Sequence, residues 1–108
     1  MRSCVPSRHS SNEPAPSPVA RARKLNQRSD ERKAYLLLRQ ACFSDEADPR
    51  LWVHFGLQCL RVRRRDEGLQ ALRQALWLRE RAREHQRARV LRELIEHVSS
   101  GGTLPNAA

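Results

Sequence analysis

Aromatic side chains are scarce in this chain: two Trp, one Tyr and two Phe in 108 residues. No run of apolar residues approaches the roughly 20 that a membrane-spanning helix needs, so no membrane insertion is expected. The N-terminus carries an arginine but no apolar h-region, which argues against a secretory signal. Cys4 likewise lacks the preceding apolar stretch of a lipoprotein signal. Three cysteines are an odd number, which argues against a disulfide framework. Cys42 and Cys59 fall on apolar stripes and read as small buried hydrophobes of a reducing, cytoplasmic environment. His9, His54, His85 and His97 show no paired ligand spacing with Cys, Asp or Glu, so no metal site is expected. There is no glycine-rich phosphate loop and no nucleophile in a catalytic motif. The expectation is a protein without cofactor, metal or catalytic residue.

Lysine is almost missing too. Nineteen of the 21 basic residues are arginine, against 12 acidic residues, for a formal charge of +9. A GC-rich genome alone gives such a bias. The functional reading is recognition of acidic groups, because guanidinium pairs in two-pronged fashion with carboxylate and phosphate. The densest cluster is Arg61, Arg63, Arg64 and Arg65, with only Asp66 and Glu67 beside it. A second run, Arg79 to Arg92, is dispersed around its helix and offset by Glu80, Glu84, Glu93 and Glu96. It reads as a solvated face.

What is present is helical periodicity. Asp48 is a good N-cap and Pro49 suits the first helical position, where no amide hydrogen bond is lost. Trp52, Phe55, Gly56, Cys59 and Leu60 then share one stripe. Asp66 is the next N-cap candidate, and Glu67 favours the positive helix start. Gly68, Leu69, Leu72, Ala75 and Leu76 make a second stripe. A mid-helix glycine costs roughly 1 kcal/mol against alanine. Gly56 and Gly68 therefore read as places where two helices approach closely.

Shifting the chain by 34 positions aligns Gly68 with Ala34, Leu72 with Leu38, Ala75 with Ala41, and Asp66–Glu67 with nearby Asp30–Glu31. Gly56 aligns with Ala22 and Cys59 with Leu25. Trp52 falls on Pro18 and Phe55 on Arg21, which do not fit, so the first helix of the earlier copy is expected to be degenerate. Downstream, Val90, Leu91, Leu94, Ile95 and Val98 are spaced for one apolar face. Arg89–Glu93 and Arg92–Glu96 can pair across a turn, and Ser99 to Gly102 stop the helix. Between Arg79 and Arg89 two structures fit: a bend near 80–84 before a cap helix, which is favoured, or one long helix.

Over about residues 17–82 the chain resembles the tetratricopeptide (TPR) repeat family, whose period is about 34 residues with a W-x2-L-G-x2-Y…A-x3-F pattern. Trp52, Phe55, Gly56, Gly68, Leu72 and Ala75 carry the resemblance, with Cys59 where the family has an aromatic. The resemblance implies an all-α fold of antiparallel helical hairpins stacked as a short right-handed superhelix. Residues 17–48 would be repeat one, 49–82 repeat two and 83–98 a capping helix. Residues 1–16 and 99–108, poor in large apolar side chains, read as disordered tails.

Such hairpins hold partners and do no chemistry. The implied function is a small cytoplasmic adaptor or chaperone-like module binding a protein or peptide segment. In the family the first helix of each hairpin lines the binding groove, which here assigns Arg50, Val53, His54, Leu57, Leu60 and Arg61. The carboxylate-clamp members use Lys and Asn where this chain has Val53 and Leu57. A mixed apolar and arginine groove suits an acidic or amphipathic segment instead. The competing reading packs Val53, Leu57 and Leu60 on the helix around 19–27. Trp77 either packs under the cap helix or is an exposed anchor. With about three repeats usually needed for stability, self-association or a bound segment is expected to support the fold. The alternative function is a basic helical nucleic-acid-binding module, against which stands the lack of aromatics interleaved with the arginines.

Overall fold

Every connection in this protein is short, and that fixes its shape. The computed structural model describes residues 15–102, all helix and turn with no strand among them. The helices are α1 (Pro18–Gln27), α2 (Glu31–Ser44), α3 (Pro49–Arg61), α4 (Arg65–Arg81) and α5 (His85–Ser99). The extensive helix–helix contacts are all between sequence neighbours, with α3 on α4 the largest. The chain is therefore all-α. Residues 1–14 and 103–108, which hold most of the two expected tails, lie outside the described residues.

The helix starts follow local chemistry in two cases. The Ser17 side chain accepts from the Ala20 amide at 3.1 Å, with Pro18 at the first helical position. The Asp48 carboxylate accepts from the Arg50 amide at 3.0 Å, with Pro49 in the same place. Each satisfies an amide that the helix cannot. Ser17 is why α1 forms in full despite Pro18 and Arg21 breaking the repeat pattern. Asp66 does not cap. It sits in the first turn of α4, which begins at Arg65 with no side-chain cap.

Three of the helix ends, those of α1, α3 and α4, are built alike without glycine. After α1, the Ser29 amide donates to Asn26 O and the Asp30 amide to Leu25 O. After α3, Arg63 donates to Leu60 O and Arg64 to Cys59 O, each partner 34 positions on. After α4, Arg83 donates to Glu80 O and Glu84 to Arg79 O. This crossed pair is the Schellman closure, and its central residue must be left-handed. Ser29, Arg63 and Arg83 have φ of 61°, 64° and 59°. The turn at Arg83 separates α4 from α5, so the two do not merge. Only the last closure uses glycine, Gly101 at φ 93°.

Two apolar clusters share the interior. Tyr35, Leu38, Cys42, Leu51, Phe55 and Cys59 centre the first, and Leu69, Leu72, Leu91, Ile95 and Val98 the second. Trp52 packs against both and donates its indole N–H to Glu46 O at 2.9 Å. The α3–α4 contact is the tightest. A Cβ on Gly56 would lie 2.8 Å from Leu72 Cγ, and one on Gly68 would lie 2.9 Å from Gly56 O. The two glycines face one another, so the backbones meet directly.

Some side chains sit elsewhere than expected. Val90 is 65% exposed, because Ala88, Leu91, Ile95 and Val98 form the buried stripe of α5. Arg92 pairs with Glu80 on α4 at 3.4 Å and not with Glu96, while Arg89–Glu93 does form at 3.6 Å. Arg79 is not part of a solvated face: it is buried, with its guanidinium 2.8 Å from Glu84.

Gly68→Leu is expected to lower stability by more than about 1 kcal/mol, since overpacking a tight contact costs roughly 1–3 kcal/mol. Urea denaturation of the variant checks this, and an unchanged midpoint would refute the contact. Arg83→Gly should act in the opposite sense. It relieves a left-handed L-residue, worth up to about 1 kcal/mol, partly offset by unfolded-chain entropy. A raised urea midpoint is the expected result.

Candidate functional site

The face where α1 and α3 lie side by side follows from a polar tie between them. Gln58 is buried, which an apolar-stripe reading of α3 does not anticipate. Its amide exchanges two 2.9 Å hydrogen bonds with Asn26 and donates a third, also 2.9 Å, to Glu31 O. A buried amide left unpaired would cost about 1–3 kcal/mol, so this arrangement fixes α1 against α3. Two polar residues 32 positions apart carry no pairing signal in one sequence.

Two clefts run along this face and share Val19 and His54. The larger, about 680 Å³, lies between Ser17, Arg21, Leu37, Ser44 and Arg50. The smaller, about 200 Å³, continues past Arg23 and Leu57 to Arg61. Arg50, His54, Leu57 and Arg61 thus line one continuous groove. Val53 lies on the other flank of α3, in a separate shallow cleft of about 740 Å³ with Arg87, Val90 and Leu91 of α5. Leu60 turns away: it packs on the second core cluster beside Gly68. Arg21, Arg23 and Val19 join the groove from α1, the helix that fits the repeat pattern least.

The groove is electropositive. Arg50 is offset by Asp48 at 3.5 Å and Arg61 by Glu31 at 3.1 Å. Arg21 and Arg23 have no ion-pair partner among the described residues. Partial desolvation between α1 and α3 pushes the His54 imidazole below its usual range; Arg23 and Arg50 add to this and Asp48 opposes it.

The four arginines at 61–65 do not form one free cluster. Arg61 is held by Glu31. Arg64 lies 3.6 Å from Glu67 and 5.1 Å over the Tyr35 ring. Arg65 donates to Val98 O at the end of α5. Arg63 carries the left-handed turn and is exposed. The tip serves the fold as much as the surface. Tyr35 shows the same economy: its hydroxyl donates to Glu67 at 2.7 Å, and burial together with that carboxylate raises its pKa.

Trp77 does not pack under α5. It is 50% exposed on α4, with the Arg81 guanidinium 4.7 Å from its ring centroid. Arg39 similarly lies 5.7 Å from the Phe43 ring. Arginines and aromatics therefore do pair, and both of these pairs lie four positions apart on one helix. No group of three or more potential metal-ligating side chains occurs among the described residues. No helix among them is long and apolar enough to cross a membrane.

No protein-family model matches the chain, and neither a curated protein nor a solved structure matches it.

Cys42 and Cys59 are fully enclosed, and burial pushes both thiols up to about 12. Only the thiolate is nucleophilic. Both are expected to resist alkylation at pH 8 in the native state and to react once urea unfolds the chain. Mass spectrometric mapping of the modified cysteines checks this. Rapid native labelling of either would refute its enclosure.

Proposed function

We propose that this chain is a non-catalytic interaction module of the tetratricopeptide kind, a small cytoplasmic adaptor or chaperone-like protein. Its ligand is an acidic or amphipathic segment of a partner protein, held along the α1–α3 groove. The right-handed superhelical stacking implied by the resemblance belongs to the same proposal. The observation that carries it is the joining of two clefts through Val19 and His54 into one groove. That groove sets apolar Val19 and Leu57 among Arg21, Arg23, Arg50, His54 and Arg61. Recognition of an extended segment needs such a track, with apolar places for affinity and cations for register.

His54 gives the reading a pH signature. The groove depresses its pKa, so at neutral pH the imidazole is uncharged. A carboxylate placed beside it favours the protonated ring. Binding an acidic segment then takes up a proton, and affinity rises as pH falls through the window below about 6.5. In the free protein the depressed pKa acts the other way. Its stabilising effect is present above the unfolded value and lost as pH falls through the folded one.

Calorimetry with a synthetic peptide of alternating Glu and Leu tests both points. Affinity is expected to be higher at pH 6 than at pH 7.5 and to fall with salt. Arg23→Gln combined with Arg50→Gln should weaken it roughly three- to thirtyfold, at up to about 1 kcal/mol per exposed charge, and flatten the salt dependence. Unchanged affinity in the double variant would show that the ligand does not use this groove.

A further inference from the structure

The outward faces of α2 and α4 carry the same surface twice. Residues 38–43 read Leu-Arg-Gln-Ala-Cys-Phe, and residues 72–77 read Leu-Arg-Gln-Ala-Leu-Trp. The leucine is buried in both copies, and the arginine and final aromatic are exposed in both. Phe43 is 59% exposed and Trp77 50%. Aromatics are scarce in this chain, yet two of the five stand in solvent at matching positions. Packing does not account for that. Phe43 touches Trp52 only edge-on, at 6.3 Å between centroids, and the ring contacts of Trp77 are with its own helix.

Each ring is held in place by a cation. Arg39 lies over Phe43 and Arg81 over Trp77. Arg73, the counterpart of Arg39, lines a shallow cleft of about 470 Å³ with Trp77, Gln70 and Gln74. It has no ion-pair partner among the described residues. Arg39 reaches across to Glu67 of α4 at 3.8 Å, so the two copies belong to one surface. Glu67 is the carboxylate that interrupts it, and it is already shared with Tyr35 and Arg64.

We infer that this double face binds single-stranded nucleic acid, one base stacking on Phe43 and another on Trp77, with Arg39, Arg73 and Arg81 along the phosphates. Exposed rings spaced along a basic track are what sequence-tolerant single-strand binding requires, since every base has a π-face. A formal charge of +9 supplies the long-range attraction. The features that recur are arginine, glutamine and aromatic. The apolar Leu36 is replaced by Gln70 in the second copy, so there is no continuous apolar row for a partner helix. The inference is independent of the α1–α3 groove, because none of Arg39, Phe43, Arg73, Trp77 and Arg81 lines it.

The test uses the full chain and a fluorescently labelled oligodeoxythymidylate, with binding read by anisotropy across a salt series. The strand is expected to bind and to quench tryptophan emission. Phe43→Leu with Trp77→Leu keeps every charge, and both sites are exposed, so the fold is retained by circular dichroism. That pair should weaken binding at least about fivefold, from roughly 1 kcal/mol or more of stacking per base, and most of the quenching should be lost. Arg23→Gln with Arg50→Gln in the groove should shift affinity less than the aromatic pair. Three results would overturn the inference: no binding at low salt, equal affinity of the leucine variant, or equal competition by duplex DNA. So would a face that instead took up an acidic amphipathic peptide through Phe43 and Trp77 while ignoring the oligonucleotide.

Discussion

The direct meeting of two backbones at Gly56 and Gly68 is the constraint from which the rest of the packing follows. With no Cβ on either side, α3 and α4 approach until Leu72 fills the space above Gly56. That approach draws Leu60 and Cys59 against α4 and turns the opposite flank of α3, with His54, Leu57 and Arg61, outward to α1. The groove is thus a by-product of which side of α3 carries the glycine. Each glycine gives up roughly 1 kcal/mol of helix propensity, and the contact it permits buries Leu72 completely.

Arginine takes roles in this chain that other residues usually hold. Arg63 and Arg83 occupy left-handed turn positions where glycine is common. Arg65 satisfies a carbonyl at the end of α5, tying the start of one helix to the finish of the next. Arg79 is buried and neutralised by Glu84 just beyond its own helix. Arg79 is the only buried cation among the described residues, so the charge total stays at the surface, where part of it is engaged in ion pairs. Arg21, Arg23 and Arg73 carry no ion pair among the described residues, while in the dense run at 61–65, whose arginines are all exposed, Arg61, Arg64 and Arg65 are engaged by Glu31, Glu67 and the Val98 carbonyl.

The helices themselves were legible, because apolar spacing and the caps at Asp48 and Pro49 are local signals. So was the pairing of Gly56 with Gly68, since a glycine inside a helical stripe gives up propensity that only a close helix contact returns. Three things were not legible. The full extent of α1 depends on Ser17, a cap outside the repeat pattern. The closures at Ser29, Arg63 and Arg83 depend on a left-handed φ that no side chain there announces. The Asn26–Gln58 pair joins residues 32 apart, where only geometry reveals the match. The groove residues on α3 could be named from the resemblance. Their companions on α1 could not, because Arg21 and Arg23 sit where the pattern fails. Leu60 and Trp77 show the limit of a stripe: one residue's rotation about the helix decides between core and solvent.

The closures after α1 and α3 share every backbone partner at a fixed offset. The length of chain between Ser29 and Arg63 therefore enters and leaves by identical joints. Such a segment is geometrically interchangeable: a tandem copy could be spliced in at either joint without inventing a new bend. The same joint recurs at Arg83, ahead of a helix with a different apolar register. The architecture thus treats its last helix as a plug that fits the common socket. Growth by whole units, with the plug kept at the end, is the change in length this backbone accommodates most readily.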